Sequence, residues 1–226
     1  HVSRTVPIFS VDSKLFFDRE FSLFGKAHVQ TLEPRIFYVL TPHVGQDDIP
    51  HFDSGLYQVS FRNLFHYNRY AGRDRVGDAN QVTLALTTRA LDAKDGRETF
   101  RLSIGQIFYF RDREVTLAGS QPEEARDRES EIVAEAAMDI GGDLSARGTI
   151  HWEPDESRAE RAAVNLRYRP RFDTVLNLGY SFRRLGTDVK QTDVSLRWPV
   201  TDRWTVVGRW NYSLREIESL ETIWGC

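Results

Sequence analysis

Three groups of polar residues have the types that could do chemistry. His151 lies close in sequence to Ser145 and Asp155, which together offer a base, a nucleophile and an orienting carboxylate. A hydrolase needs the three to converge in space, and no nucleophile motif surrounds any Ser. His43, Asp47, Asp48, His51 and Asp53 form a second group, with imidazole and oxygen ligands of the kind that hold a cation. Their spacing matches no ligand frame, so a solvated acidic loop is the plainer reading. Arg69, Arg73 and Arg75 form the third, beside Gly72 and Gly77. The glycines lack the spacing of a phosphate cradle, but guanidinium forks suit phosphate oxygens. Pairing with Asp74 and Asp78 is the competing role for these arginines. The single cysteine, Cys226, excludes an internal disulfide framework and a Cys-based metal cluster. The expectation is a chain with no catalytic residue, no metal and no cofactor.

The elements that must position these residues are strands. The chain has 226 residues and a formal charge of -3, which gives no footprint for nucleic acid. Mean hydropathy is -0.47, and no apolar run approaches the roughly 18 residues of a spanning helix. Soluble proteins and membrane β-barrels remain, since barrel strands are only half apolar. The opening at His1 and the stop at Cys226 read as the ends of an internal fragment of a longer chain.

Period-two alternation runs through most of the chain. Val194, Leu196, Trp198, Val206, Trp210 and Tyr212 are even-numbered, with Asp193, Ser195, Arg197, Thr205, Arg209 and Asn211 between them. This predicts two strands, each with one apolar and one polar face, joined by a turn over 199–203. The same pattern recurs around Leu32–Leu40, Val82–Leu86, Phe100–Phe110, Ile132–Ile140, Leu144–Trp152, Val164–Tyr168 and Leu176–Phe182. A less regular first strand falls in Val6–Phe21. Helix competes over Glu123–Ala137, but period two continues from Ile132 and Gly141-Gly142 closes it as a turn. The total is about ten antiparallel strands.

Connections alternate between short (24–27, 92–97, 141–146, 170–173) and longer (42–80, 111–128, 153–160, 184–190). Short turns on one rim and long loops on the other suit an outer-membrane barrel. On the polar face stand Arg89, Arg101, Glu135, Asp139, Arg167, Arg197 and Arg209, expected to point into a wide lumen where they pair and meet water. Trp152, Tyr168, Trp198, Trp204, Trp210 and Tyr212 lie near strand ends, as interfacial aromatics do. A soluble β-sandwich binding protein, with these aromatics as core, is the other-class alternative. A porin-like channel and an outer-membrane hydrolase are alternatives of the same architecture.

Five segments in order resemble the LptD (OstA) family of lipopolysaccharide-assembly proteins. They are Gln30-Thr31-Leu32-Glu33-Pro34-Arg35 with Phe37-Tyr38, Asp78-Ala79-Asn80-Gln81 with Leu86-Thr87-Thr88-Arg89, Arg101-Leu102-Ser103 with Gly105 to Phe110, Gln191 to Ser195, and Gly208 to Leu214. The resemblance is to the family's C-terminal barrel region. It implies that residues 1–226 are part of one outer-membrane β-barrel domain, an open segment of a very large transmembrane barrel. The N-terminal periplasmic domain and the remaining strands would be absent. It further implies integral residence in the Gram-negative outer membrane, and insertion of lipopolysaccharide into the outer leaflet. The implied partners are lipopolysaccharide, outer-membrane lipids, an LptE-like plug lipoprotein, and periplasmic bridge proteins reached through the missing domain. Arg69, Arg73 and Arg75 become candidate contacts for lipopolysaccharide phosphates. The family's cysteine pair near the C-terminus would lie beyond this chain.

Overall fold

The structure is a computed structural model that describes residues 4–23, 25–46, 48–50, 52–117, 126–184 and 188–226. Several sequence expectations fall wholly or partly outside the described residues. They are Phe24 in the first turn, Asp47 and His51 of the acidic cluster, residues 118–125 of the second long loop and of the helix alternative, and residues 185–187 of a later connection.

The described chain is one antiparallel sheet of twelve strands. These are β1 (Phe9–Lys14), β2 (Phe17–Leu23), β3 (Lys26–Thr41), β4 (Ala79–Asp92), β5 (Glu98–Tyr109) and β6 (Ile132–Ile140). They continue as β7 (Leu144–Glu153), β8 (Arg158–Arg171), β9 (Thr174–Arg183), β10 (Val189–Pro199), β11 (Thr205–Ser213) and β12 (Glu218–Gly225). From β3 onward each strand pairs with the next in sequence, while β1 and β2 both pair with β3. The order is linear, and among the described strands no pairing joins its ends. Among the described residues the one helical element is a short 3-10 turn, Asn63–Phe65.

The alternation determines the register. Asn165 pairs Gly179, Leu166 pairs Leu178, Val194 pairs Leu178 and Trp210, and Ser195 pairs Asn177 and Arg209. From β7 to β11 even therefore meets even and odd meets odd, apart from bulges near the strand ends, so the period-two pattern becomes one apolar and one polar face. Gly141 and Gly142 have φ of 67° and 85°, left-handed values that glycine adopts without cost and that close the β6–β7 turn tightly. Residues 132–140, the described bulk of the helix alternative, are strand.

The strand count departs from the expected ten in two places. The irregular first segment is two strands broken at Leu15-Phe16. The twelfth strand, β12, lacks clean alternation. Thr222 pairs Trp210 on the apolar side and Ile223 pairs Arg209 on the polar side, and a bulge at Leu220 follows before Ser219 pairs Tyr212.

The chain divides into two compact units. Unit 1 is residues 1–17, 32–87 and 104–133, and so contains both long connections, 42–78 and 110–131. Its core is Phe37, Val39 and Ala79, with Phe65 packed against them. Unit 2 is residues 18–31, 88–103 and 134–226, and contains the short turns, including 93–97 and 141–143. Both long loops thus leave the same ends of β3, β4 and β5, as antiparallel strands of similar span require.

Candidate functional site

In unit 1 one side of the sheet buries threonines along with Phe37 and Val39, while the other leaves leucines exposed. Thr41, Thr83 and Thr87 are 0%, 0% and 7% exposed, whereas Leu84, Leu86 and Ile104 are 44%, 41% and 44% exposed. The polar side is buried because segment 42–78 folds back over it. Leu64, on the 3-10 turn, is buried, and its carbonyl accepts a hydrogen bond from Thr83 Oγ1 at 2.7 Å. Phe65 and Tyr67 meet Phe37 edge-on, with ring centroids 6.1 and 5.6 Å away. The Arg35 guanidinium stacks over Phe65 at 3.7 Å and forks onto Asp12.

Asp78 ties the two long connections together. Its side chain has no exposed surface. It accepts the backbone N–H groups of Val115 at 2.8 Å and Glu114 at 2.9 Å, pairs with Arg69 at 3.2 Å, and has Arg111 at 3.8 Å. Arg69 also donates to the Asp78 and Val115 carbonyls, and the Tyr70 hydroxyl donates to Val115 O at 2.7 Å. Burial pushes the Asp78 carboxyl up, but the Glu114 and Val115 N–H groups and the Arg69 charge outweigh it and hold the group below the usual carboxylate range. Beside this hub, burial lowers the pKa of Arg113, whose guanidinium stacks over Tyr109 at 3.8 Å.

This geometry distributes the arginines of the third sequence group differently. Arg69 serves Asp78, and Arg75 donates to Ile49 O at 2.9 Å, so both are used internally. The Arg73 side chain is exposed. In the acidic group, Asp53 Oδ1 accepts the N–H of Arg73 at 3.0 Å, and Asp74 Oδ2 accepts those of Phe52 and Asp53 at 2.6 and 2.7 Å. These carboxylates brace the two stems of the loop. His43 lies 3.8 Å from Glu114, and among the described residues no three His, Cys, Asp or Glu converge as metal ligands. Ser145 and His151 are six positions apart on β7, about 20 Å along a strand, so they cannot form a nucleophile–base pair.

In unit 2 the charged residues form ion pairs, most across strands and one, Arg101 with Glu98, within β5. Arg89 and Arg101 share Glu98 at 3.7 and 3.5 Å, and Asp139 meets Arg97 at 3.4 Å. Arg209 bridges Asp193 at 2.9 Å and Glu221 at 3.2 Å, linking β10, β11 and β12. Arg167 and Arg197 are exposed on the same parity, opposite Asn177 and Val175 on β9, and Glu135 is half-buried on β6. Solvent screens half-exposed pairs of this kind, so they set register more than stability.

The even-numbered face of unit 2 is apolar and open. Val164, Leu166, Leu178 and Trp198 are all exposed on it. Its aromatics form two rows. Trp152, Trp210 and Tyr212 stand toward the turns 154–157 and 214–217, while Tyr168, Trp198 and Trp204 stand toward 172–173 and 200–204. Trp210 pairs with Val194 and Tyr212 with Thr192, four and six positions from Trp198 on β10, which separates the rows by about 13–20 Å.

Sequence reasoning offered the pairing of Arg69 with Asp78, which the structure shows, but missed both the Glu114 and Val115 N–H groups that complete the hub and the seat of Leu64. Gly105, a lone glycine inside an alternating strand, carried a signal for the second, since such glycines mark close approach of another segment.

Residues 1–204 match the family model LptD, described as LPS transport system D. The chain belongs to the LptD family. It is 48% identical over 226 residues to the LPS-assembly protein LptD of Alkalilimnicola ehrlichii, covering 98% of this chain and 30% of that protein. It is 40% identical to the protein of the same name from Xylella fastidiosa and 42% identical to that of Xanthomonas axonopodis pv. citri, covering 28% and 29% of their lengths. The chain thus spans under a third of the curated LptD relatives it matches. These shares do not put the matched stretch at the C-terminal end of the relatives, and the C-terminal placement expected from the sequence is withdrawn.

Proposed function

We propose that this LptD chain is a strand segment of an outer-membrane barrel that passes lipopolysaccharide to the outer leaflet without making or breaking a bond. The observation that carries the reading is the uncovered apolar side, with leucines exposed while threonines on the same strands are buried. A chain folded in water would lose about 1.5–3 kcal/mol for each large apolar side chain left uncovered, whereas acyl chains cover them at no such cost. The two aromatic rows, about 13–20 Å apart along the strands, lie toward opposite ends of the apolar face, as interfacial aromatics on barrels do. The paired charges of the polar face suit a wet passage for a saccharide. An LptE-like plug lipoprotein and periplasmic bridge proteins are the partners that complete the reading. Arg73, the exposed arginine of its group, is the strongest remaining candidate for a lipopolysaccharide phosphate contact.

Two experiments bear on this. The isolated chain is expected to be insoluble in plain buffer and rich in β-structure in detergent micelles. A soluble monomer with a cooperative thermal transition in buffer alone sinks the reading. In the full-length protein, deleting much of Pro42 to Asn80 is expected to reduce lipopolysaccharide display or plug docking. Wild-type levels of both in the deletion would count against it.

A further inference from the structure

Leu64 occupies a notch in the sheet that glycine leaves open. A Cβ on Gly105 would lie 3.0 Å from Leu64 Cδ1, 3.1 Å from Ala85 Cβ and 3.2 Å from the Leu84 carbonyl oxygen. The same turn is bonded to Thr83 through the Leu64 carbonyl, and the far end of the segment is fastened at Asp78. Segment 52–78 is therefore seated at two separate points, one by shape and one by charge. A loop that only rimmed the sheet would leave Thr83 wet, yet Thr83 has no exposed surface.

We propose that segment 52–78 is a resident stopper, which covers the polar side of β3, β4 and β5 and keeps small water-soluble solutes from passing. The proposal rests on the barrel reading, in which the polar side borders an aqueous passage. The part of that side under Leu64 and Phe65 is then unavailable to a plug partner, which meets the outer surface of the segment instead.

The test uses full-length protein reconstituted in phospholipid vesicles loaded with a small hydrophilic dye. Limited proteolysis within the segment serves as a second readout. Leu64→Asp places a charge in the notch without altering a strand, and is expected to raise both dye efflux and cleavage several-fold. Gly105→Val fills the notch from the sheet side and is expected to do the same. Combining Gly105→Val with Leu64→Ala relieves the Leu64 side of the crowding while Ala85 and the Leu84 carbonyl still press on the valine, and is expected to return both readouts part of the way toward wild type. Cleavage that rises while efflux stays at the wild-type rate overturns the stopper and leaves the barrel reading intact. So does a Leu64→Asp protein that inserts normally and shows neither change. Wild-type protein that does not enter the vesicles overturns both.

Discussion

Asp78→Ala in the full-length protein is expected to cost about 3–5 kcal/mol of stability, toward the lower end because Arg69 and Arg111 keep some solvent contact. The cost arises from what the missing carboxylate leaves behind. The N–H groups of Glu114 and Val115 lose their acceptor, and two guanidinium groups lose their shared countercharge. Urea unfolding in detergent, followed by tryptophan fluorescence, measures the loss. A midpoint equal to wild type would show that Asp78 does not fasten the two long connections. Asp78→Asn separates shape from charge, because it keeps the side-chain volume and one acceptor. It should fall between wild type and Asp78→Ala.

The same residue sets an acid limit. A carboxyl whose folded pKa is held below its ordinary value of about 3.9 stabilises the fold fully above that value, and loses this contribution as pH falls through the folded pKa. Cleavage of segment 52–78 by an acid-active protease should therefore rise as pH drops below about 3.9 in wild type. In Asp78→Asn it should already be raised and show no such step. An identical acid profile in the two proteins would place the sensitive group elsewhere.

The two-faced sheet was readable because each residue of a strand declares its own side. Val194, Leu196 and Trp198 alternate with Ser195 and Arg197 whether or not the partner strand is known, and the observed register keeps that parity from β7 to β11. A strand that does not alternate declares nothing. In β12 Ile223 lies opposite Arg209 and Thr222 opposite Trp210, and a bulge follows at Leu220, so no period-two signal marks it. Loops are harder for a different reason. Segment 42–78 carries Phe52, Tyr57, Phe61, Phe65, Tyr67 and Tyr70, more aromatics than a solvated connection needs, yet nothing in its own sequence says that Leu64 meets Gly105 or that Asp78 meets Val115. Those contacts join positions far apart in the chain, and become legible only when the sheet brings β4 and β5 together.

Leu196→Arg in the full-length barrel is expected to cost about 2–4 kcal/mol if position 196 lies near the bilayer midplane, and less near its edges. Leu196 pairs with Leu176 and Gly208 on the apolar face, so an arginine there has no partner within the face. Arg197→Leu should cost much less. Its neighbours across the sheet are Val175 and Val207, and the nearest acid along the strand, Asp193, is already paired with Arg209. The two substitutions alone do not separate a lipid face from a protein core, because a core would also reject Arg at 196. Access separates them. A nitroxide at position 196 should be relaxed by oxygen dissolved in the bilayer, and one at 197 by a water-soluble nickel chelate. If the nickel reagent reaches both, or bilayer oxygen reaches neither, Leu196 does not face lipid, and the exposed leucines need a protein partner to cover them.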